Sequence, residues 1–391
     1  MSESPFALDI SAAEGRRRRL AVSGDLLTDE MGLLVSFRGE DDVEALLNDP
    51  RFSAVAMPML QMSGVTEGPL HEMWSLLMFG KDADEHKRLR STVAREFTPR
   101  ATARYRDDIE RYAADLADRM ERGSVVELWS EFALPLSALA AGRVVGIPGE
   151  DRDRVTAWAL DLVAAFFVMS PEQRTRAEAA AIGFCSYLDA LIAAKRAAPT
   201  DDLTSTLTAD DAAHDLTYEE TRALLANLVF GGLEATAKVI TTGVYHLLTH
   251  GQWSVLAEQP ELAPHAVSEL LRFAPPTGVA RFASQDLVCR DVALNSDQMV
   301  ILDLEAACRD ARRVSQPERL QLDRADSGRQ LAFGAGPHFC LGANLAKIVL
   351  ETVFHMLPTR FPTLELACAP DDVVWDYETF SGIVGLPVAV S

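Results

Sequence analysis

The chain has 391 residues, of which 48% are apolar and 24% charged, and its 58 acidic against 37 basic side chains leave a formal net charge of −21. That is the composition of a globular protein able to bury a large core, and the negative balance excludes a general nucleic-acid binder, which needs a basic stripe. Five cysteines, at 185, 289, 308, 340 and 368, stand without pairing intervals, so neither a disulfide framework nor a zinc ribbon is expected, which suits a reducing cytoplasm.

No uninterrupted apolar run of about 18 residues occurs, which predicts no membrane span. Met1 to Val22 lacks the apolar stretch of a secretory leader. Within it, Arg16 to Arg19 form a basic run that reads as a solvated arm or as a partner-docking patch. A strand is expected near Leu33 to Phe37. Ser53 to Gly80 reads as a connecting segment with a large apolar load, including Met57, Met59, Leu60, Met62, Trp74 and Phe79. Helical spacing of apolar residues follows over Ala101 to Met120, Ala133 to Val145 and Glu178 to Ala197.

The clearest helix runs from about Tyr218 to Thr249, opened by a capping box of Thr217 and Glu220 and followed by Gly251. At 1.5 Å per residue it spans about 48 Å, enough to cross a domain. Gly231 and Gly232 in its middle cost roughly 1 kcal/mol each relative to alanine. They mark either close helix packing or the approach of something flat or diatomic. Glu234, beside that gap, serves proton traffic or is simply paired or solvated. A further helix over about Pro264 to Phe273 carries Glu269 and Arg272 on one face. The pair is either a surface ion pair worth little or, if Arg319 joins it, part of a bidentate carboxylate–guanidinium cluster able to survive burial. Strand-like pieces come next, at Leu287 to Leu294 and Met299 to Leu304, and an extended tail covers Gly382 to Val390. No repeat and no Gly/Ser linker divides the chain, so one mainly helical unit with small sheets is expected over residues 1–391.

The segment from Phe333 to Ala346 places one cysteine, Cys340, in a glycine-rich loop directly before an apolar helix that runs to about Leu357. Free N–H groups and the helix dipole favour a thiolate there. Glycines 334, 336 and 342 leave room for a planar ring to lie against the loop. The alternative is an inert buried cysteine. A zinc site built on His338 and Cys340 lacks two further ligands at metal spacing, and a phosphate loop lacks its Gly-Lys-Ser/Thr.

The run from Phe333 to Gly342, read as Phe-Gly-x-Gly-x-His-x-Cys-x-Gly, together with Glu269, Arg272 and Arg319, resembles the soluble, bacterial-type cytochrome P450 family. The likeness extends to Asp84–Arg90, Phe97–Arg100 and Gly385–Val388. It implies a mainly α fold with small β-sheets, in which haem b lies between the long central helix and the cysteine loop with its following helix. Cys340 would be the axial thiolate on iron, set in a cofactor-binding loop that includes Phe333 and Gly342. His86, Arg90, Arg281 and His338 match the positions that hold the two propionates. Glu269, Arg272 and Arg319 would lock the fold, and Gly231, Gly232, Glu234 and Ala235 would form the oxygen-binding stretch. Leu233, Val279, Ile383 and the segment from Ser53 to Gly80 would lie near the substrate.

The resemblance further implies a monomeric monooxygenase acting on an apolar or aromatic small molecule of natural-product biosynthesis, free or tethered to a carrier protein. A ferredoxin and its reductase would supply electrons, docking on a basic face with Arg95, Arg100 and Lys347. A haem-free homologue that activates a partner enzyme and a peroxide-driven oxygenase are the alternatives. One departure stands out. The family usually follows the acid with threonine, but here Ala235 follows Glu234 and Thr236 comes one place late. A one-residue shift turns a side chain by about 100°, so Thr236 is expected to face away. Either a substrate hydroxyl or carboxyl, or a water ordered by it, would then replace the missing hydroxyl, or Glu234 and ordinary pocket water would suffice.

Overall fold

The structure, a computed structural model, describes residues 24–28, 35–54, 57–209, 215–276, 278–324, 330–377 and 379–391. The basic run Arg16 to Arg19 and the first two residues of the strand expected at Leu33 to Phe37 lie outside them. Nine helices among the described residues exceed eight residues: α1 (Glu40–Asn48), α2 (Ala83–Ala94), α3 (Arg106–Ala117), α4 (Leu134–Val145), α5 (Arg152–Val163), α6 (Pro171–Ala197), α7 (Tyr218–Thr249), α8 (Ala263–Phe273) and α9 (Ala343–Arg360).

Local chemistry sets their limits. α7 starts and stops where the sequence places it, with the Thr217 and Glu220 side chains exchanging hydrogen bonds with each other's backbone N–H. α6 begins seven residues earlier than its apolar spacing suggested, because Ser170 and Gln173 form a second such box with Pro171 at the first helical position. The expected helix over Ala101 to Met120 is split by a 3₁₀ turn at Ala103–Tyr105. Both α6 and α7 are long and apolar enough to cross a membrane by length and composition. In α7 that character reflects its place in the core, where 72% of its most apolar window is buried.

Five strands form a mixed sheet in the order β1 (Leu26–Thr28), β2 (Val35–Phe37), β8 (Met299–Leu302), β5 (Val279–Ala283) and β3 (Phe52–Ser53), with β2 and β8 parallel and the other pairs antiparallel. The single strand expected over Leu287 to Leu294 is a hairpin, β6 (Leu287–Cys289) and β7 (Val292–Leu294). Arg290 and Asp291 take φ of 47° and 64° between them, the two-residue turn that matches strand twist. The extended tail also divides. β11 (Gly382–Gly385) pairs with β10 (Val374–Asp376), whereas β12 (Pro387–Ala389) joins a separate sheet between β4 (Val125–Glu127) and β9 (Glu365–Leu366). Most helices share one large apolar core, and the mixed sheet closes a smaller one with α1.

Glycine has two different uses along α7. A Cβ on Gly243 would lie 2.5 Å from Phe354 Cζ and 3.1 Å from Leu270 Cδ1, so close packing of α8 and α9 on α7 requires glycine there. A Cβ on Gly231 would meet only Asn227 Nδ2, at 3.8 Å, and one on Gly232 only Ala141 Cβ, at 3.6 Å. Helix packing therefore does not account for the mid-helix pair, and the space beside it is open.

The buried ion cluster forms, with one member corrected. Arg272 donates to both oxygens of Glu269, at 2.7 and 2.8 Å, and all three charged members of the cluster are nearly inaccessible. The third member is Arg324, whose Nε lies 3.1 and 3.0 Å from the same two oxygens. Arg319 instead points to solvent and donates to Gln316 Oε1, lending the cluster only its carbonyl, which accepts from Arg324 at 2.9 Å. The chain turns at Gln316, with φ of 47°, and carries Arg324 inward in place of the earlier arginine.

Two predictions follow for stability. Glu269→Ala and Arg324→Ala each strand buried charge and are expected to cost about 3–5 kcal/mol, while Arg319→Ala should stay within about 0.5 kcal/mol; urea unfolding midpoints separate the two arginines. Gly231→Ala and Gly232→Ala are expected to stabilise the fold by about 0.5–1 kcal/mol each, whereas Gly243→Ala should cost about 1–3 kcal/mol through overpacking.

Candidate active site

A cavity of about 1230 Å³ lies between α7 and the loop that precedes α9. One wall is a face of α7, with Leu228, Gly231, Gly232, Ala235, Thr236 and Val239 repeating at helical spacing. The facing wall includes Phe333, His338, Cys340, Gly342 and the first turn of α9. Cys340 N donates to the Phe333 carbonyl at 2.9 Å, closing the loop, and Gly334 and Gly336 take φ of 70° and 68°, where glycine is favoured. A Cβ on Gly336 would fall 2.6 Å from Asn48 Oδ1 and 2.9 Å from the Leu47 carbonyl, so the loop is seated against the end of α1.

Cys340 is accessible, and its open surface is the cavity's. Burial raises its thiol above the ordinary range, opposed by the amides of Gly342 and Ala343 and by Arg90. The amides at the helix terminus do favour the thiolate, as expected, and desolvation works against them. No group of three His, Cys, Asp or Glu side chains that could cage a metal occurs among the described residues. Among the residues that line the cavity Cys340 is the single cysteine, and it faces the open floor.

One corner of the cavity collects the four predicted basic residues. His86 and Arg90 are one turn apart on α2, and the His86 and His338 rings lie 4.1 Å apart. His338 Nε2 is 3.2 Å from Asp82 Oδ1. Burial works to raise Asp82, but His338, Ser53 and the Ala54 amide hold it down at about 2. Burial, then His338 and Arg90, push His86 down to about 4. Arg281, on β5 and only 7% exposed, donates to the Ala280 carbonyl at 2.9 Å and is lowered to about 10 by burial. Arg90 donates to the Phe339 carbonyl at 2.7 Å. Among the described residues neither arginine has a carboxylate partner. A buried guanidinium without an anion is costly, so the corner suits a ligand that brings carboxylates. A single soft donor at Cys340, open space against Gly231 and Gly232, and two arginines without carboxylate partners together fit haem.

The residues beside the gap divide differently from the expectation. Ala235 and Thr236 both line the cavity. Thr236 therefore does not face away: the open face of α7 is wide enough that a 100° step stays within it. Its hydroxyl makes no hydrogen bond among the described residues, whereas Thr221, Thr241 and Thr249 of the same helix bond to the carbonyl four residues back. The premise that the cavity lacks a helix hydroxyl is thereby removed. Glu234 instead turns away from the cavity, and its Oε1 is 2.5 Å from Nζ of the wholly buried Lys238. Lys238 was not foreseen, although its i,i+4 spacing from Glu234 was a readable signal.

The Ser53 to Gly80 segment is largely core. It contains helices at Met57–Met62 and Pro69–Ser75; Leu60, Trp74 and Leu77 are buried and Met62 is exposed. Met59, Met78 and Phe79 do reach the cavity, as does Val279, while Leu233 and Ile383 do not. Phe166, Asn227, Thr379 and Phe380 complete the wall without having been foreseen; they come from segments far apart in sequence.

Comparison with known proteins agrees with this geometry. The Cytochrome P450 family pattern matches residues 257–387. Polyketide biosynthesis cytochrome P450 PksS of Bacillus subtilis (strain 168) is 34% identical over 361 residues, covering 90% of this chain and 87% of that protein. The structure of CalO2 superposes with a TM-score of 0.91 at 27% identity, covering 98% of both chains. That of P450BioI in complex with an acyl carrier protein bearing hexadec-9Z-enoic acid superposes with a TM-score of 0.84 at 30% identity, covering 91% of this chain and 92% of that one. The chain belongs to the cytochrome P450 family and is a bacterial-type, haem-thiolate monooxygenase.

Proposed function

We propose that this monooxygenase oxidises an apolar or aromatic small molecule of secondary metabolism, using haem b bound through Cys340 and electrons from a ferredoxin and its reductase. The observation that carries the reading is the placement of Cys340 across an open cavity from Gly231 and Gly232, with the carboxylate-free guanidiniums of Arg90 and Arg281 alongside. At about 1230 Å³ the space exceeds the roughly 300–1,000 Å³ of common ligand pockets, which supports room for a cofactor and a substrate together. When bound, haem supplies an iron centre whose thiolate ligand favours O–O cleavage.

The chain's own residues then have defined tasks. Cys340 holds the iron, and Phe333 and Gly342 shape the loop around it. His86, Arg90, Arg281 and His338 hold the two carboxylates by charge-assisted bonds. Gly231, Gly232 and Ala235 keep the helix wall thin where dioxygen must fit. Met59, Phe79, Phe166 and Phe380 provide an apolar, partly adaptable wall for substrate and exclude water from it. Asn227 is oriented by the Phe79 amide, which donates to its Oδ1 at 3.4 Å. The carrier-protein complex of the related P450BioI supports delivery of a tethered substrate here too. The protein works as a cytoplasmic, single-domain monomer, with no nucleic-acid or membrane partner.

The electron donor has a surface to meet on the cysteine side. Asn344 in the first turn of α9 donates to the Phe97 carbonyl at 2.8 Å. That contact brings Lys347 near the segment holding Arg95 and Arg100, and all three are exposed. In a chain of charge −21, a local basic face is what an acidic ferredoxin needs.

Two measurements test the reading. The reduced, carbon monoxide-bound protein should show the red-shifted Soret band of thiolate ligation, and Cys340→Ala should lose it; retention of that band in the variant would refute the ligand. Reduction by ferredoxin should slow with added salt, and the triple charge reversal Arg95→Glu, Arg100→Glu, Lys347→Glu should slow it on the order of tenfold at low salt. Stopped-flow reduction rates that ignore both changes would place the donor elsewhere.

A further inference from the structure

One buried charged cluster has no task in the site as described. On the flank of α7, Lys238 Nζ lies 2.5 Å from Glu234 Oε1, 2.6 Å from Asp376 Oδ2, 2.8 Å from Thr379 Oγ1 and 2.6 Å from the Phe380 carbonyl. Thr379 Oγ1 also contacts Glu234 Oε1 and lies 2.9 Å from Asp376 Oδ2. An ammonium carries three hydrogens and a hydroxyl one, so these six contacts share four hydrogens. Two carboxylates face one cation. Hydrogens in such a network have alternative places of nearly equal quality, and an extra proton finds an acceptor without rearrangement of the side chains.

The cluster also connects two environments. Lys238 is wholly buried, but the Asp376 side chain is 24% exposed. At the other end Thr379, Phe380 and Ser381 line the cavity, as Ala235 and Thr236 do. Monooxygenation has a use for that connection. One atom of dioxygen enters the substrate and the other leaves as water, with two electrons and two protons supplied from outside.

We propose that Asp376, Lys238, Glu234 and Thr379 form a proton inlet from solvent to the cavity, with Asp376 as its outer end and Thr379 as its inner end. The proposal rests on the reading of this cavity as the place where dioxygen is reduced. A proton taken up at Asp376 Oδ2 passes to Thr379 Oγ1 as the hydroxyl releases its own hydrogen to cavity water. One O–H bond forms on Thr379 while another breaks, Asp376 returns to carboxylate, and rotation of the hydroxyl resets the path. The electrons come from the donor of the established activity. Lys238 and Glu234 are positioning residues, which hold Asp376 and Thr379 together.

The rival is a clasp that only fastens the β10–β11 turn to α7, and the test separates the two. The first readout needs no turnover. In reduced, carbon monoxide-bound protein labelled with ¹⁵N-lysine, the hydrogens of the buried Lys238 ammonium should exchange with solvent at least about tenfold more slowly in Asp376→Asn than in wild type, because the outer end is lost. The second uses dioxygen itself as the probe, with electrons from a plant-type [2Fe–2S] ferredoxin and its reductase and no organic substrate. Asp376→Asn and Thr379→Val should lower oxygen consumption at least about tenfold and change its solvent deuterium isotope effect. Thr379→Ser should return it to within about twofold. Hydrogen peroxide brings its own hydrogens, so peroxide consumption should be similar in all four proteins. Unchanged ammonium exchange and oxygen consumption in both variants, with only a lower melting temperature, would leave a clasp and overturn the inlet. A wild-type protein without thiolate-ligated haem would overturn the reading beneath it, a result seen in the spectrum before either measurement. Should Asp376→Asn fail to fold, Thr379→Val and Thr379→Ser carry the comparison alone, and equal behaviour of those two would also overturn the inlet.

Discussion

A space of about 1230 Å³ must stay open inside a chain whose interior elsewhere closes tightly, and that requirement governs the rest of the structure. Protein interiors pack as densely as organic crystals, so an open volume persists only between walls that cannot collapse inward. α7 is one such wall, a single 32-residue helix fastened along its length. Gly243 lets α8 and α9 press against it. Thr241 donates to the Ile383 carbonyl at 2.6 Å, and Thr242 accepts from the Ile383 amide at 3.1 Å, which ties β11 to the same helix. The other wall is the cysteine loop, seated on the end of α1. The Glu269–Arg272–Arg324 cluster fixes the segment that leads toward that loop.

Charge is arranged on the same plan. The chain as a whole is strongly acidic, yet one corner of its cavity gathers His86, Arg90, Arg281 and His338, with Asp82 bonded to His338. Burial depresses His86, Arg90 and Arg281, because their charged forms are poorly solvated there. Lys238 shows the reverse arrangement. It is as deeply buried as any charge in the protein, but it is surrounded by acceptors.

The parts of this site that were legible in the sequence are those whose chemistry is local. The loop from Phe333 to Gly342 carries its glycines, cysteine and helix start within ten residues, and α7 announces both its ends. What was missed depends on meetings between distant segments. Nothing near Arg319 distinguishes it from Arg324, because the turn at Gln316 decides which of them points inward. Thr236 was misplaced because an angular argument about one helix cannot give the width of the cavity facing it. Lys238 reads as one more helix lysine until Asp376 and Thr379 arrive from the last strands. The apolar load between Ser53 and Gly80 was visible, but its division between core and cavity is a matter of tertiary packing.

The seating of Gly336 against Asn48 and Leu47 bears on how the protein is made. Gly336 follows Asn48 by 288 residues, and the basic corner likewise draws on residues from 86 to 338. During synthesis the amino-terminal segments emerge long before the loop they support. The cysteine loop can take its seat on α1 only once it has itself left the ribosome, long after α1 has, so a cofactor held through Cys340 would be captured after that point. Until then the apolar walls lack their facing partner, and such long-range contacts form slowly. The nascent chain is therefore most exposed to aggregation just before the cysteine loop has emerged. Expression yield should depend on how much cofactor is at hand at that moment, more than on the stability of any one helix.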